Sequence, residues 1–311
     1  MNRSRLLKAG ALLITGALLC TLSFCKKDSD DDSGMLALLG LAVAGQKPAP
    51  DLYRGGRLYD KWYGELGVTV PTSMTDNSGN TVDSKAHSYR CKNCHGWDLR
   101  GSAGIYGPLY QNKDYLEGRT GVSGLNFLVS VSTQTQFFNA IKNGVPGMPA
   151  YGSVMSDKDI TDLAAYLVAM ANNQLASPAN IWNLINSGVT TPGTRYYTLA
   201  AGADAAAGKT EYAAKCAGCH GADGTSLLFD SGAYSLGTHT RMKAYEDWHK
   251  VLAGHPGSVM GSQVIGLTAT QQESSILNIM AALCNRTDFP QGTATLADVL
   301  AGDPRCGTYL Q

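Results

Sequence analysis

The chain has 311 residues, 44% hydrophobic and 16% charged, which excludes a generally disordered polymer and fits about two domains at roughly 100–200 residues each. Lys plus Arg and Asp plus Glu number 25 each, so the net charge is 0 and nothing supports a nucleic-acid partner, whose binders usually carry a basic face. Glycine is abundant at 36 residues and aromatics are only 8%, so the chain is rich in turns and short of large core-filling side chains.

At the N-terminus, Arg3, Arg5 and Lys8 precede an uncharged apolar run of 16 residues, Ala9 to Phe24. That is short for a membrane span of about 20 residues and suits a secretory h-region. Cys25 follows, then the polar run Lys26-Lys27-Asp28-Ser29-Asp30-Asp31-Asp32. The pattern resembles a bacterial lipoprotein signal, with Phe24 standing where a small residue is usual; an uncleaved anchor helix is the alternative. Residues 1–24 are therefore expected to be a signal peptide and 25–50 a lipidated cysteine and tether. The chain is expected at the periplasmic face of a membrane, held by acyl chains on Cys25. Loss of the signal removes three bases and no acids, leaving 22 bases against 25 acids. Met35 to Gly45 is apolar but, at 11 residues, too short to span.

The first helical pattern carries Gly55-x-x-x-Tyr59, and 32 residues after Tyr59 comes Cys91-Lys92-Asn93-Cys94-His95. The stretch between them, with Pro71, Asp76-Asn77-Ser78-Gly79-Asn80 and His87, predicts an irregular excursion or a short hairpin and is a candidate partner surface. Gly144-Val145-Pro146-Gly147 leads into Met148-Pro149. Ser156 then caps an amphipathic helix with Ile160, Leu163, Ala164, Leu167 and Val168 on one face. A Pro-, Gly-, Ser- and Thr-rich linker runs from Ser177 to Gly202 and contains Ile181-Trp182-Asn183-Leu184-Ile185. The order then repeats: Gly208-x-x-x-Tyr212, Cys216-Ala217-Gly218-Cys219-His220, Gly254-His255-Pro256-Gly257, Met260 and a closing helix. Thr270-x-x-Glu273 predicts a capping box for that helix, with Ile276, Ile279, Met280 and Leu283 on its apolar face.

Both cysteine motifs are C-x-x-C-H, the attachment pattern of c-type haem. Two thiols on one helical turn add to the two vinyl groups of a haem, and the adjacent His points its imidazole at the iron. A zinc site would draw four ligands from closely spaced pairs, whereas 125 positions separate the two motifs. A thioredoxin-like pair needs neither the His nor a second copy.

With these motifs in view, each copy resembles a class I cytochrome c domain, and the whole resembles a di-haem c-type cytochrome. The likeness covers about residues 51–173 and about 204 to the C-terminus. It implies an all-α fold with tandem domains at 51–176, carrying an insert at about 62–89, and at 204–311, joined by a linker at 177–203. Each domain would be a few helices around one of two covalently bound haem c groups. The resemblance also implies His95 and His220 as proximal ligands, Met148 as the distal ligand of the first iron, and the Pro108 carbonyl as acceptor for the His95 ring N–H. In the second copy Met260 is favoured as distal ligand, with His255, His249, His239 and Met242 as remaining options. Gly232-Ala233-Tyr234 has no proline there, so the acceptor for His220 is unidentified. Trp97, Tyr106 and Tyr110 either line the first haem or simply pack the core.

Cys284 and Cys306 are left over, and in an exported protein two leftover cysteines most simply pair. The loop they close would add roughly 3 kcal/mol on the entropic account. An iron with protein ligands on both faces has no open position for substrate, so the expected function is electron transfer, not enzyme catalysis, between exported or membrane-bound redox donors and acceptors. The alternatives are the cytochrome subunit of a larger dehydrogenase and a di-haem peroxidase. A peroxidase needs an open iron beside an acid–base group, and neither motif comes with such a constellation.

Overall fold

A computed structural model describes residues 49–82, 89–101, 103–105, 133–185 and 196–311. The expected signal, Cys25 and nearly all of the tether lie outside the described residues, as do His87, Tyr106, Pro108 and Tyr110. The Asp51 carboxylate accepts the Arg54 amide and starts α1, Leu52–Leu66; Gly67 ends it in the left-handed region. α1 thus extends into the stretch expected as insert. The rest of that stretch holds a hairpin of β1, Met74–Thr75, and β2, Thr81–Val82, turned through the Asp76–Asn80 segment.

The first motif forms α2, Cys91–His95. It is followed by α3, Gln134–Asn143, and α4, Asp157–Ala171. Both of the latter begin with reciprocal capping boxes, Thr133 with Gln136 and Ser156 with Asp159. In the linker, β3, Trp182–Leu184, pairs antiparallel with β4, Tyr197–Leu199. The second half contains α5, Ala205–Lys215; α6, Ala217–His220; α7, Leu236–Ala253; and α8, Ala269–Leu283. A 3-10 turn at Pro304–Tyr309 follows. Among the described residues the only sheets are the two two-stranded ones, as an all-α expectation requires. No described helix is long and apolar enough to cross a membrane.

One expectation is corrected. The capping box of α8 is Thr268 with Gln271, two residues earlier than Thr270 with Glu273. Glu273 instead accepts the Ser177 amide and the Asn180 side-chain amide, both at 2.9 Å, and so anchors the linker to α8. The linker hairpin is equally engaged. At Lys243 the backbone of α7 leaves helical geometry, and the buried Tyr197 hydroxyl satisfies the break. It accepts the Ala244 amide at 3.0 Å and donates toward the Arg241 carbonyl at 3.2 Å. Cys284 and Cys306 form a disulfide that ties the C-terminal segment to the end of α8.

Pro50–Gln311 is one compact unit with a continuous apolar core running through both halves. A buried charge cluster crosses the same boundary. Asp60 of α1 is fully buried and pairs with Arg90, Lys92 and Lys250, while Lys92 also faces Glu246 at 3.8 Å. Burial opposes ionisation of Asp60, but Lys92, Lys250 and Arg90 outweigh it and hold the carboxyl well below the usual range. Burial pushes Lys92 down to about 8. Glu246, against the cost of burial, is drawn down to about 2 by Lys92, His239 and Lys250.

Next to this cluster His249 is fully buried among Trp97, Tyr59, Tyr166 and Trp248, and neither ring nitrogen has a hydrogen-bond partner among the described residues. Burial pushes its pKa to about 3, so the native ring is neutral. The unfolded chain takes up a proton near the ordinary histidine value of 6.5, while the folded chain does not until about 3. Stability therefore falls as pH drops through that window. Asp60 and Glu246 act in the same direction, but only below about 4.5, where unfolded carboxylates protonate. His249→Phe should flatten the pH dependence of the urea midpoint between about pH 6.5 and 4.5 and leave the steeper loss below it. An unchanged slope in the upper window would rule out the buried neutral ring as its source.

Candidate functional site

Each C-x-x-C-H sits on a single helical turn, which brings its two thiols and its imidazole to one side. Cys91–His95 forms α2, and Cys216 caps the turn Ala217–His220. Cys91, Cys94, Cys216 and Cys219 take no part in a disulfide. Burial raises Cys91 to about 12 and Cys216 to about 11, so neither is a reactive thiolate of the redox-exchange kind.

The loops that leave the two motifs share several hydrogen bonds. Gly96 and Gly221 end the turns at φ 79° and 83°, both with ψ 160°. The His95 carbonyl accepts the Gly101 amide at 2.8 Å, and the His220 carbonyl accepts the Ser226 amide at 3.1 Å. Asp98 and Asp223 occupy equivalent positions and fold the loops over their carboxylates. Asp98 accepts the Arg100 amide at 3.4 Å and Asp223 the Thr225 amide at 3.1 Å, each two residues on; Asp98 also accepts the Ile105 amide at 2.9 Å, a bond of the first loop. Neither aspartate was singled out from the sequence, although both stand three residues after the motif histidine, and a comparison of the two copies would have found them.

Each motif is also fastened to a helix crossing. The Tyr59 hydroxyl donates to the Gly96 carbonyl, and the Tyr212 hydroxyl to the Gly221 carbonyl, both at 2.6 Å. One turn before each tyrosine lies a glycine that lets the helices touch. A Cβ on Gly55 would lie 2.2 Å from the Asp162 carbonyl oxygen of α4; one on Gly208 would lie 1.8 Å from the Asn278 carbonyl oxygen of α8.

The two methionine loops correspond as well. Gly144 and Gly254 terminate α3 and α7 at positive φ, 74° and 95°. A Cβ on Gly144 would meet the Met148 carbonyl at 2.8 Å, and one on Gly254 the Met260 carbonyl at 2.4 Å. Three residues past each methionine, Tyr151 and Gln263 donate their amides, both at 2.9 Å, to the carbonyls of Ile141 and Val251. Both methionines are partly buried. Met260 thus holds the place of Met148 in a loop two residues longer.

The other residues named for the second site are engaged elsewhere. His249 lies against Trp97 and Tyr59 of the first half. His255 is exposed, with Nδ1 3.1 Å from the Pro256 carbonyl oxygen. Met242 is buried in a small cluster with Tyr234 and Val299. Buried His239 shares Nδ1 with Asp247 at 2.8 Å. Burial opposes its protonation, but the Asp247 carboxylate prevails and its pKa is raised.

The groups present at the second motif suit a haem. The buried His220 ring Nδ1 has no hydrogen-bond partner among the described residues. Burial lowers its pKa against the pull of Asp247, which favours the neutral imidazole a metal requires. Its ring stacks on Phe229 at 5.8 Å. Pro108, expected to accept from His95, lies outside the described residues. Trp97 is fully packed beneath the Lys92 ammonium, 3.4 Å from its ring centroid.

Comparison with known families agrees with this geometry in the first half. The family model described as cytochrome c oxidase, cbb3-type, subunit III, matches residues 84–167, which contain the first motif, the Met148 loop and most of α4. No curated protein and no solved structure matches the chain. The matched segment is similar to a c-type cytochrome domain, whose role is electron transfer with covalently bound haem c.

The helix crossing generates a direct test. Gly208→Ala drives a methyl group into the Asn278 carbonyl and should destabilise the holoprotein by about 1–3 kcal/mol or more. Gly64→Ala, where the added methyl meets only the flexible Lys61 side chain at 3.1 Å, should change little. Equal melting temperatures for the two variants would disprove the close crossing.

Proposed function

We propose that the chain is a di-haem c-type cytochrome that carries electrons between exported or membrane-bound redox partners. It would be built as two tandem cytochrome c domains, 51–176 and 204–311, with one haem bound at each motif. The observation that carries this reading is the repetition of the Tyr-to-Gly bond, the loop hydrogen bonds and the glycine crossing around both motifs. Independent recurrence of all these contacts around a decorative cysteine pair has no other physical motive.

In this reading Cys91 with Cys94, and Cys216 with Cys219, hold the vinyl groups. His95 and His220 are the proximal ligands, and Met148 and Met260 the distal ones. Haem bound in this way supplies one-electron exchange between Fe(III) and Fe(II). The chain's part is to close both axial positions, keep water out and set the potential. A thioether opposite an imidazole raises that potential, because the soft neutral sulfur favours Fe(II). The two sites differ in surroundings. Pro108 is the proposed acceptor for His95, while the Asp247 carboxylate acts electrostatically on His220. Acyl chains on Cys25 would hold the protein at the membrane where its donor or acceptor resides.

The pyridine haemochrome assay should return two covalent haems per chain, and one after Cys216→Ser with Cys219→Ser. A single haem in the unaltered protein, or haem extracted by acid acetone, would sink the proposal. The ferric protein should be low-spin and nearly inert to peroxide, with the weak red charge-transfer band of a methionine–histidine iron. Met148→Ala and Met260→Ala should each remove about half of that band and lower one of two reduction potentials. If Met260→Ala changed nothing while a histidine substitution did, the second iron would be bis-histidine. Cys25→Ser should release the protein from the membrane fraction, and unchanged attachment would argue for an uncleaved anchor.

A further inference from the structure

The distal loops share one more feature, and in both it comes from the first half. Gly147 and Gly257 are the same glycine of the repeat, both at positive φ, 77° and 68°. Each gives its amide to a carboxylate: Gly147 to Asp76 Oδ2 at 3.1 Å and Gly257 to Glu65 Oε2 at 3.3 Å. Both carboxylates come from one continuous stretch, α1 and the hairpin that follows it. One segment of the first half thus braces the methionine loops of both.

Asp76 is built for this. It is only 6% exposed, and its other oxygen accepts the amides of Ser78 at 2.9 Å and Asn80 at 3.0 Å, so the hairpin turn is folded around it. The Gly147 amide is the foremost of the contacts that hold its carboxyl below the usual range. The Thr75 carbonyl accepts the Ala150 amide at 2.9 Å. The strand therefore grips the loop on both sides of Met148. Glu65 is held in turn by Arg57 at 3.0 Å, and a Cβ on Gly257 would lie 2.6 Å from the Gly64 carbonyl oxygen, so the second loop is pressed onto the end of α1.

We propose that Asp76 and Glu65 are positioning residues for the two distal methionines, holding the Gly147 and Gly257 amides so that Met148 and Met260 stay on their irons. The proposal rests on the reading of those methionines as ligands. A thioether is a weak neutral ligand, and an unrestrained loop loses conformational entropy each time it closes. A carboxylate–amide bond is roughly twice as strong as a neutral one and removes part of that entropy in advance. The extra segment between Tyr59 and Cys91 then has a definite task, to fasten the first methionine loop. The longer bond of Glu65, shared with Arg57, leaves the second methionine more readily displaced.

The test uses the full-length holoprotein, titrated in its ferric form with imidazole while the red band and both reduction potentials are followed. Asp76→Ala should raise imidazole affinity at one site by about tenfold or more, as expected for loss of a charge-assisted bond. The Met148 half of the band should weaken and one potential should fall, while the other half, the second potential and the haem content stay unchanged. Glu65→Ala should do the same at the other site. Asp76→Asn, which keeps an acceptor oxygen and nearly the same shape, should fold normally and fall between Asp76→Ala and the unaltered protein. Unchanged imidazole affinity, band and potentials in both Asp76 variants, alongside the full effect in Met148→Ala, would overturn the positioning role alone. No effect in Met148→Ala itself would overturn the ligand reading and the positioning role together.

Discussion

At Gly55 and Gly208 the first helix of each half passes the last at a distance that leaves no room for a methyl group. The rest of the arrangement depends on that contact. It sets the helix so that a tyrosine one turn later reaches the carbonyl directly after the motif histidine. The tyrosine hydroxyl is buried in each case, and the carbonyl it meets is part of a turn that cannot be satisfied within its own short helix. Each C-x-x-C-H is therefore suspended from the helix pair, not from its own four or five residues, which are too few to hold a helical turn alone.

The two halves are joined differently, by charge and by one long helix. α7 belongs to the second half, yet it delivers Glu246, His249 and Lys250 into the first. There they meet Asp60 and the Lys92 ammonium, which lies inside the first motif itself. Buried ion pairs contribute little net stability, because desolvation offsets much of their attraction. Their effect is on register: any sliding of α7 along α1 would part Asp60 from Lys250 and Lys92 from Glu246. His249 adds to this by requiring a dry aromatic pocket. The same boundary carries the Glu65 contact to the Met260 loop, so the packing of the halves and the setting of the second site are not independent.

Several readings made from residues alone were close and still incomplete. The helix starting near Thr270 was expected, but the cap proved to be Thr268, because Glu273 is drawn off to hold the linker at Ser177 and Asn180. Local pattern could not register a competing partner nearly a hundred residues away. His249, an option for distal ligand in the second copy on sequence grounds, is buried against the first half's Trp97. Its position on a helix of the second copy gave no hint of which half it would pack into. The segment before Cys91 was expected as a hairpin or irregular excursion and a candidate partner surface. The hairpin is there, and it faces the Met148 loop.

What the sequence by itself determined is the local chemistry: two C-x-x-C-H turns, the glycine–tyrosine spacing, the capped helices and the methionine that follows each Pro-Gly. These are short-range matters, decided by thiol and imidazole spacing on one turn and by periods of the helix. Tertiary structure alone decided what meets across the chain. Asp60 binds the halves through Lys250, and Asp76 and Glu65 take up the amides of the methionine loops. A carboxylate acquires such a role only when distant backbone amides or cations are brought within about 3 Å of it, and no sequence period encodes that approach.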